Sequence, residues 1–264
     1  MASSGRVAIV TGAARGIGAA TVRALAEQGW SVLALDLARD DPALPYAMGT
    51  ADELAKVVVQ AGPAQVVGYH ADVRDQAALA AAVAYAEQRW GGLDAAIAVA
   101  GVIAGGVPAW ELPPEQERAV LDVDLGGVLN LARAAIPALL RRPEPRSGRF
   151  LAVASAAATR GLPKLAAYCA AKAGVAGLIR ALGAELGGTG VTANAVSPGS
   201  TDTPVLAQSA RLYELPGAAS FAAQQPHGRL LEPDEIAGVL VFLAGSGSSA
   251  MTGSVVPADG GLAL

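Results

Sequence analysis

The chain has 264 residues, of which 53% are apolar and only 16% are charged, and its net charge at pH 7 is -4. No block of Lys or Arg stands out, so nucleic acid is not expected as a partner. The single cysteine excludes an intramolecular disulfide. The sequence shows neither a signal peptide nor an uninterrupted apolar run that would span a membrane, so we expect a cytoplasmic protein.

The N-terminal part reads as strand, glycine-rich turn, helix and second strand. An apolar strand at 6–10 is followed by TGAARGIG at 11–18, a helix, and a strand at 31–35 that ends in Asp36. Such a turn brings backbone N–H groups and a helix N-terminus up to a pyrophosphate. A carboxylate about twenty residues further on hydrogen-bonds a ribose 2′-hydroxyl and repels a 2′-phosphate, so Asp36 predicts NAD rather than NADP, a plain capping role being the alternative. The residues predicted to hold this part of the cofactor are Gly12, Arg15, Gly16, Ile17, Gly18, Asp36 and Leu37.

The next segment is longer than a tight connection between a strand and a helix requires. Residues 38–53 contain prolines and acidic residues that resist a helix. Thr50 and Glu53 have capping-box spacing, which predicts that a helix begins there and runs to residue 60. This insertion, residues 38–53, is either a surface excursion or a lid over the adenosine half of the cofactor.

Two further strands complete the first half of the chain. The third strand, at 65–69, leads to Asp72 and Val73, and a carboxylate at this place can accept a hydrogen bond from the adenine amino group. After another helix, a fourth strand at 94–100 runs into Gly101, where the absence of a side chain lets the backbone pass close to a ligand. We therefore predict that both strand ends border the cofactor.

The second half of the chain contains the residues that can do acid–base chemistry. A long helix is predicted over 113–140, and a fifth strand at 150–154 places Ser155 at its carboxyl end. The helix that follows contains Tyr168 and Lys172. In doubly wound sheets, ligands bind outside the carboxyl ends of the strands, so these three residues are candidates for one site.

The last part of the chain continues the alternation of strands and helices. A sixth strand at 191–196 is followed by the turn 198–203, which can hold a nicotinamide carboxamide and a phosphate. Residues 204–231 are of mixed character and are predicted to form a substrate lid. A helix at 232–243 and a short strand at 254–256 follow. The alternation predicts one α/β domain over 1–264, with a mostly parallel, doubly wound sheet of seven strands.

Tyr168 and Lys172 are four residues apart, so on a helix their side chains are adjacent. The pKa of an unperturbed phenol is about 10, and a nearby ammonium favours the phenolate. Lowering this pKa by about three units takes about 4 kcal/mol, which a buried cation and a cationic cofactor ring can supply together. Ser155 can hydrogen-bond the same oxygen of an alcohol or ketone. Tyr-x-x-x-Lys alone occurs often by chance, so the prediction depends on the accompanying motifs.

These motifs together resemble one family over essentially the whole chain. The chain is similar to short-chain dehydrogenases/reductases, a resemblance that implies a Rossmann sheet and, commonly, a homotetramer. It implies that Tyr168 is the general acid/base, that Lys172 lowers its pKa and holds the nicotinamide ribose, and that Ser155 polarises the substrate oxygen. It also implies cofactor contacts from Ala100, Gly101, Pro198, Gly199, Thr201 and Thr203. The resemblance rests on Thr11-Gly12-x-x-x-Gly16-Ile17-Gly18, Asp72-Val73, Ser155, Tyr168-x-x-x-Lys172 and Pro198-Gly199.

Two positions depart from the family's pattern. Val99 stands where the family usually has Asn, which removes an amide that stabilises the central sheet. Asp124 stands where the family's helix usually supplies a catalytic Asn. It can accept from a water that links it to Lys172, which predicts a proton-relay role, the alternative being a solvated helix residue. Asp122 is the neighbouring competitor but does not match the motif.

A narrower resemblance concerns the insertion together with the stretches 193–201 and 228–233. These segments resemble the mycofactocin-associated short-chain dehydrogenases of actinobacteria, whose carveol-dehydrogenase-like relatives have a comparable insertion. The resemblance implies a tightly held NAD whose electrons leave through the peptide-derived carrier mycofactocin.

The predicted function is an NAD-dependent oxidoreductase that interconverts a small apolar secondary alcohol and a ketone. The alternatives are a 3-oxoacyl thioester reductase, which usually requires NADPH and a basic docking patch, and a non-catalytic NAD-sensing protein. A hydrolase using Ser155 is disfavoured because neither His70 nor His227 has the spacing of a base, and no cluster has metal-ligand spacing. The candidates for an apolar substrate pocket, which are equally candidates for the core, are Val107, Trp110, Leu162, Leu206 and Tyr213.

Overall fold

Seven parallel strands form one sheet in the part of the chain that the computed structural model describes, residues 5–62 and 65–264. They are β1 (Val7–Thr11), β2 (Ser31–Asp36), β3 (Val66–His70), β4 (Ala95–Ala98), β5 (Arg149–Val153), β6 (Thr192–Pro198) and β7 (Val255–Ala258). Their order across the sheet is β3-β2-β1-β4-β5-β6-β7, so successive strands are added towards one edge up to β3 and towards the other edge from β4 onwards. The switch point lies between β1 and β4. At such a switch point the loops that leave the two strands diverge and open a crevice at the carboxyl edge. Every neighbouring pair is parallel, so the predicted architecture is confirmed.

Helices cover both faces of this sheet. They are α1 (Gly16–Glu27), α2 (Ala51–Ala61), α3 (Gln76–Trp90), α4 (Pro114–Leu121), α5 (Gly127–Leu140), α6 (Ala166–Glu185), α7 (Pro204–Leu212) and α8 (Pro233–Ala244). Alternate residues of a strand point to opposite faces. Val7 and Ile9 therefore belong to the core shared with α3, α4, α5 and α6, whereas Ala8 and Val10 belong to the core shared with α1, α2 and α8. Strands buried on both faces read as nearly continuous apolar runs, as the sequence indicates.

The helix predicted over 113–140 is interrupted in its middle. Between α4 and α5, residues Asp122–Gly126 form a π-helical turn, and Pro137 lies inside α5 without ending it. A π-turn is common at functional sites, and this one holds Asp124 with no exposed surface. The whole run Pro114–Leu140 is long and apolar enough to cross a membrane by length and composition, but half of its most apolar window is buried within the protein. Its apolar side packs into the core beside the sheet.

Strand β4 ends two residues before the predicted boundary. The N–H groups of Val99 and Ala100 both donate to the hydroxyl of Thr11, each at 3.1 Å. The strand leaves the ladder because a side chain of β1 takes over its hydrogen bonds. Thr11 therefore ties the ends of β1 and β4 together at the position where Val99 lacks the amide usual in the family.

Candidate active site

A cleft of about 690 Å³ opens along the carboxyl edge of the sheet, on both sides of the switch point between β1 and β4. The structure brings all of the predicted site residues to this one cleft. Those that border it are Gly12, Arg15, Gly16, Ile17, Gly18, Asp36, Leu37, Asp72, Val73, Ala100, Gly101, Asp124, Ser155, Tyr168, Lys172, Pro198, Gly199, Thr201 and Thr203.

The three glycines of the turn at 11–18 occupy positions that a larger residue could not take without strain. Gly12 has φ +66°, and a Cβ there would lie 2.7 Å from the Cα of Ala100. Gly16 has φ +56°, a conformation that L side chains rarely adopt, and a Cβ on Gly18 would collide with the carbonyl oxygen of Gly12. No side chain caps α1, so the first N–H groups of this helix are available to a ligand. The turn fits the pyrophosphate of a dinucleotide.

Asp36 is held rigidly at the adenosine side of the cleft. Its Oδ2 accepts the N–H of Ala14 and its Oδ1 accepts the N–H of Ala38, both at 2.9 Å. Gly49 of the insertion passes so close that a Cβ there would be 3.2 Å from Oδ1. Each carboxylate oxygen accepts one bond and keeps one acceptor position, which fits the ribose hydroxyl predicted for it.

The catalytic centre contains a buried ion pair. Lys172 Nζ lies 3.1 Å from Asp124 Oδ2 and donates to the carbonyl of Val153 at 3.2 Å, and the exposed fractions of the two charged side chains are 5% and 0%. Asp124 Oδ1 accepts the N–H of Val102 at 2.8 Å. From the sequence, Asp124 is expected either to contact Lys172 through a water or to be a solvated helix residue. Both expectations are wrong, because the π-turn brings the buried carboxylate into direct contact with the ammonium.

The charges of this pair depend on each other. Burial acts to lower the pKa of Lys172, but Asp124, followed by Tyr168, raises this pKa above its ordinary value. Lys172 is therefore an ammonium at neutral pH. Burial raises the pKa of Asp124, while Lys172 and the N–H of Val102 act in the opposite direction. Gly101 makes the arrangement possible, because a Cβ there would lie 3.3 Å from Asp124 Oδ2 and 3.4 Å from Lys172 Nζ.

Tyr168 lies beside this pair, with Lys172 Nζ 5.6 Å from the centre of its ring. Burial raises the pKa of Tyr168 above its ordinary value, whereas Lys172 and a hydrogen bond from Ser155 act to lower it. Asp124 acts in the same direction as burial. The side chains alone therefore keep the phenol neutral, and the predicted lowering requires a further positive charge in the cleft. The positively charged nicotinamide ring of NAD⁺ has the required sign.

Ser155 follows β5 and begins a short 3₁₀ turn. Its Oγ accepts the N–H of Ala157 at 3.1 Å, which fixes the side chain at the carboxyl end of the strand. The helix α6, whose alanines allow close packing on the sheet, brings Tyr168 and Lys172 to the same place. One face of the cleft thus presents a hydroxyl, a phenol and an ammonium together.

The insertion borders the cleft and is held to the rest of the protein by polar contacts. Arg74 Nη1 lies 2.7 Å from Asp41 Oδ2, and Arg74 Nη2 lies 2.7 Å from Asp72 Oδ2. Tyr46 accepts the N–H of Ile103 through its hydroxyl at 2.9 Å. These contacts join the insertion to the segments that follow β3 and β4. The insertion is therefore fixed beside the cleft, to segments that themselves border it.

Asp72 accepts more hydrogen bonds within the protein than the sequence indicates. Its two oxygens accept the backbone N–H of Arg74 and three bonds from the Arg74 guanidinium, at 2.7 to 3.0 Å. Burial opposes ionisation, but the hydrogen bonds from Arg74 lower the pKa of Asp72. Because these bonds use the carboxylate's main acceptor positions, the predicted bond from an adenine amino group would share an oxygen with Arg74.

Comparisons with known proteins cover almost the whole chain. A family described as enoyl-(acyl carrier protein) reductase matches residues 12–263. Cis-4-hydroxycyclohexanecarboxylate dehydrogenase of Sinomonas cyclohexanicum is 37% identical over 258 residues, which are 97% of this chain and 96% of that protein. The solved structure of a short chain dehydrogenase from Mycobacterium paratuberculosis bound to NAD is 30% identical, with a TM-score of 0.86 and 98% of each chain covered.

The chain belongs to the short-chain dehydrogenase/reductase family. A crystal structure of carveol dehydrogenase from Mycobacterium avium in complex with NAD matches this short-chain dehydrogenase with a TM-score of 0.92, at 30% identity over 98% of both chains. The predictions of the family, of the Rossmann-type fold and of an oxidoreductase are therefore confirmed.

The segment that contains α7 borders the cleft of this short-chain dehydrogenase. The hydroxyl of Tyr213 donates a hydrogen bond to the carbonyl of Pro163 at 2.6 Å. Its ring packs edge-on against Phe221, with centroids 6.1 Å apart. Leu162, Leu206 and Tyr213 border the cleft, as expected of substrate-pocket residues. Val107 does not border the cleft but packs against the hydrophobic core, which was the alternative for it. Trp110 neither borders the cleft nor lies in the core, since it is 85% exposed, so both expectations are wrong for this residue.

The turn after β6 is held in place by Gln225 and by the backbone at Asp259. A Cβ on Gly199 would collide with the carbonyl of Asp259, and the N–H of Ser200 donates to the side chain of Gln225 at 2.8 Å. Thr203 caps α7 by accepting the N–H of Leu206. This turn therefore has one defined position beside the catalytic centre.

Several residues of the site carry no recognisable motif in the sequence. Those bordering the cleft that sequence reasoning missed include Asp41, Met48, Arg74, Arg160 and Leu262. Arg74 lies two residues after a predicted site residue, and this proximity is the one signal that pointed to it. Asp41 and Met48 lie in the insertion, for which a lid over the cofactor was one of the two alternatives. Arg160 and Leu262 reach the cleft through loops whose path depends on tertiary contacts.

Proposed function

We propose that this short-chain dehydrogenase interconverts a secondary alcohol and a ketone, with Tyr168 exchanging the proton of the reacting oxygen. The observation that carries the proposal is the buried group of Tyr168, Lys172 and Asp124 next to Ser155, in the same cleft as the glycine-rich turn. A purely structural helix would not need an ion pair with no exposed carboxylate at this position, because burying two charges is costly.

NAD is the cofactor. The glycine-rich turn fits a pyrophosphate, and the oriented carboxylate of Asp36 fits a ribose 2′-hydroxyl and repels a 2′-phosphate. The solved relatives from Mycobacterium avium and Mycobacterium paratuberculosis are described with NAD bound. When bound, NAD⁺ accepts hydride from the carbinol carbon of the alcohol, and NADH returns it to the ketone.

The chain's own residues handle the proton. The Ser155 hydroxyl donates a hydrogen bond to the reacting oxygen, and the Tyr168 phenolate accepts the hydroxyl proton during oxidation. Lys172 remains an ammonium and stabilises that phenolate. Asp124 holds Lys172 in place through the ion pair, and it is itself fixed by the N–H of Val102. Asp124 is also proposed to belong to the path by which the proton leaves.

The substrate is proposed to be a small, largely apolar ring alcohol or its ketone. The relative from Sinomonas cyclohexanicum is named for a hydroxycyclohexanecarboxylate, and that from Mycobacterium avium for carveol. The apolar side chains of Leu162 and Leu206 in the cleft support the same class.

The experiment is to compare Tyr168→Phe with the wild type on cyclohexanol-type alcohols, with NAD binding measured in parallel. We expect NAD binding within about 3-fold of the wild type and a loss of alcohol oxidation of about 10³-fold. A variant that binds NAD and oxidises alcohols at the wild-type rate would remove the proposed mechanism.

We further propose that NAD stays bound through turnover and is reoxidised in place by mycofactocin. The support is the resemblance of the insertion and its attachment through Asp41 and Tyr46 to Arg74 and Ile103, two residues that border the cleft. To test this, the protein is purified without added cofactor, and released NAD is quantified by mass. Retained NAD, with turnover by an artificial dye but not by free NAD, is expected. Rapid turnover with free NAD would overturn retention without affecting the alcohol chemistry.

The resemblance to the short-chain dehydrogenase family supports a homotetramer of single-domain chains, and the single cysteine supports a function in the cytoplasm. Light scattering is expected to give the mass of four 26.2 kDa chains, and limited proteolysis is expected to leave the chain largely intact. A monomer in solution would contradict the assembly, and a stable half-length fragment would contradict the single domain.

A 3-oxoacyl thioester reductase is the second candidate, and the observation that favours it is the family description, which names an acyl carrier protein reductase. Reduction of acetoacetyl thioesters with NADH and with NADPH tests it. Thioester turnover that exceeds ring-alcohol turnover would make this candidate the leading one.

A further inference from the structure

The charged residues bordering the cleft are unevenly distributed. Most lie on the adenosine side or in the catalytic centre, whereas the substrate side, bordered by residues 160–165, 204–224 and Leu262, is lined largely by apolar side chains. Of the described residues that border this side, Arg160 is the one that carries a charge. The apolar side chains around it are Leu162, Leu165, Leu206, Leu215, Phe221 and Leu262.

The Arg160 side chain is oriented but not neutralised. Its backbone N–H donates to the carbonyl of Ala156 at 2.9 Å, which places it just beyond the turn that begins at Ser155. Its Nη1 donates to the carbonyl of Leu262. Within residues 5–62 and 65–264, Arg160 forms no ion pair with a carboxylate. One carbonyl uses a single N–H, so the other edge of the guanidinium keeps donors for a ligand.

The hydrocarbon stem of an arginine can pack against an apolar molecule, but its charged guanidinium gains no partner from one. Its planar fork of N–H donors matches a carboxylate, with which it can form two parallel charge-assisted bonds. A ligand that uses both features has an apolar body along the leucines and an anionic group at the end remote from its reacting carbon. Because Arg160 borders the cleft and is exposed, solvent screens the interaction, and we expect a moderate effect.

We propose that the natural substrate is a hydroxy acid whose carboxylate, remote from the reacting hydroxyl, is bound by Arg160. This inference rests on the proposed alcohol–ketone function and names the substrate class for it. Arg160 is then a specificity residue and takes no part in proton transfer at Tyr168. The competing explanation is structural, in which Arg160 only holds the C-terminal segment through Leu262.

The test compares 3- and 4-hydroxycyclohexanecarboxylates with their methyl esters in the wild type, Arg160→Lys and Arg160→Met. For Arg160→Met we expect KM for the acid to rise about 10-fold, kcat to stay within about 2-fold, and the esters to be unaffected. Arg160→Lys should recover part of the loss. Added salt should weaken the acid's kcat/KM in the wild type more than in Arg160→Met. Arg23→Met, which removes an arginine of α1 outside the cleft, is the matched control and should resemble the wild type.

If Arg160→Met loses the same kcat/KM for the acids as for the methyl esters, the role of Arg160 is structural and the inference is overturned. A wild type with equal kcat/KM for acids and esters would also overturn it. Failure of the proposed function is separable, because it would abolish turnover of acids and esters alike. In that case, calorimetry measures the binding of the acids to the NADH-loaded wild type and to NADH-loaded Arg160→Met. Tighter binding to the wild type is expected, and equal affinity for the two proteins would overturn the inference.

Discussion

Two groups of charges border the cleft, and they differ in their contact with water. At the catalytic centre, Lys172 and Asp124 are 5% and 0% exposed, and their other hydrogen-bond partners among residues 5–62 and 65–264 are backbone groups. At the adenosine side, Arg74 is 31% exposed and joins Asp41 of the insertion to Asp72, which are 4% and 19% exposed. Water can therefore solvate Arg74 when it loses a partner, whereas it reaches neither Lys172 nor Asp124.

The difference separates two tasks within one cleft. A charge in the catalytic centre that loses its partner stays buried and uncompensated, so chemistry and folding stability depend on the same atoms. In the adenosine group, Arg74 keeps Asp72 when Asp41 is removed, so the attachment of the insertion can change while the fold remains. The predictions below test this separation, beginning with the largest expected effect.

Replacing Lys172 by Met should have the largest effect. We expect alcohol oxidation to fall about 10³-fold, because Tyr168 loses the ammonium that stabilises its phenolate. The free energy of unfolding should also fall by about 3 kcal/mol, because Asp124 is left buried without its cation. Steady-state kinetics and urea denaturation measure the two effects. Normal stability in this variant would contradict the claim that the pair matters for folding.

Asp124 offers a graded version of the same experiment. Asp124→Ala should lower the free energy of unfolding by about 3 kcal/mol, because Lys172 is left buried without its carboxylate. Asp124→Asn keeps an oxygen that can accept the N–H of Val102, so about 1 kcal/mol is expected from the weakened contact to Lys172. The two variants are compared by urea denaturation. If they lose equal stability, the amide cannot replace the carboxylate, and the backbone bond has little importance.

Asp41→Asn tests the insertion. We expect bound NAD to dissociate about 10-fold faster, because the ion pair that joins the insertion to Arg74 is weakened. The free energy of unfolding should change by less than about 0.5 kcal/mol, since Arg74 retains Asp72. Stopped-flow displacement of NADH measures the rate, and Lys56→Met, on the outer surface of α2, is the control. A wild-type release rate would show that the insertion does not control cofactor exchange.

Tyr46→Phe should have the smallest effect, visible in alkaline solution. Burial raises the pKa of Tyr46 to about 12, so above pH 10 the unfolded chain loses this proton before the folded protein does. Stability from this group is therefore present below pH 10 and is lost as pH rises towards 12. Between pH 9 and 11 the wild type should lose about 1 kcal/mol more than Tyr46→Phe, as followed by denaturation at each pH. Parallel curves would contradict this assignment.

The fold was predictable because its signals are local. Apolar strands alternating with amphipathic helices determine the sheet, and Gly12, Gly16 and Gly18 indicate the pyrophosphate turn. The π-turn at Asp124 was not predictable, since its sequence is compatible with an ordinary helix and the choice depends on the buried ion pair with Lys172. The direct contact between these two residues follows from that turn.

Contacts of the loops were harder to predict for a related reason. The pairing of Asp41 with Arg74 joins segments that no motif connects. Trp110 illustrates the opposite error, because an apolar residue in a loop does not reveal which side it faces, and this one faces solvent. Arg160 was missed because its importance comes from the apolar side chains that surround it in space.

The central claim is that Tyr168 becomes acidic only when a second positive charge joins Lys172. Ultraviolet difference titration of tyrosinate, with Tyr168→Phe as the reference, measures this ionisation in the cofactor-free and in the NAD⁺-saturated protein. The account predicts a pKa above the ordinary value of about 10 without cofactor and a pKa well below it with NAD⁺. An ionisation of Tyr168 that NAD⁺ leaves unchanged would contradict it.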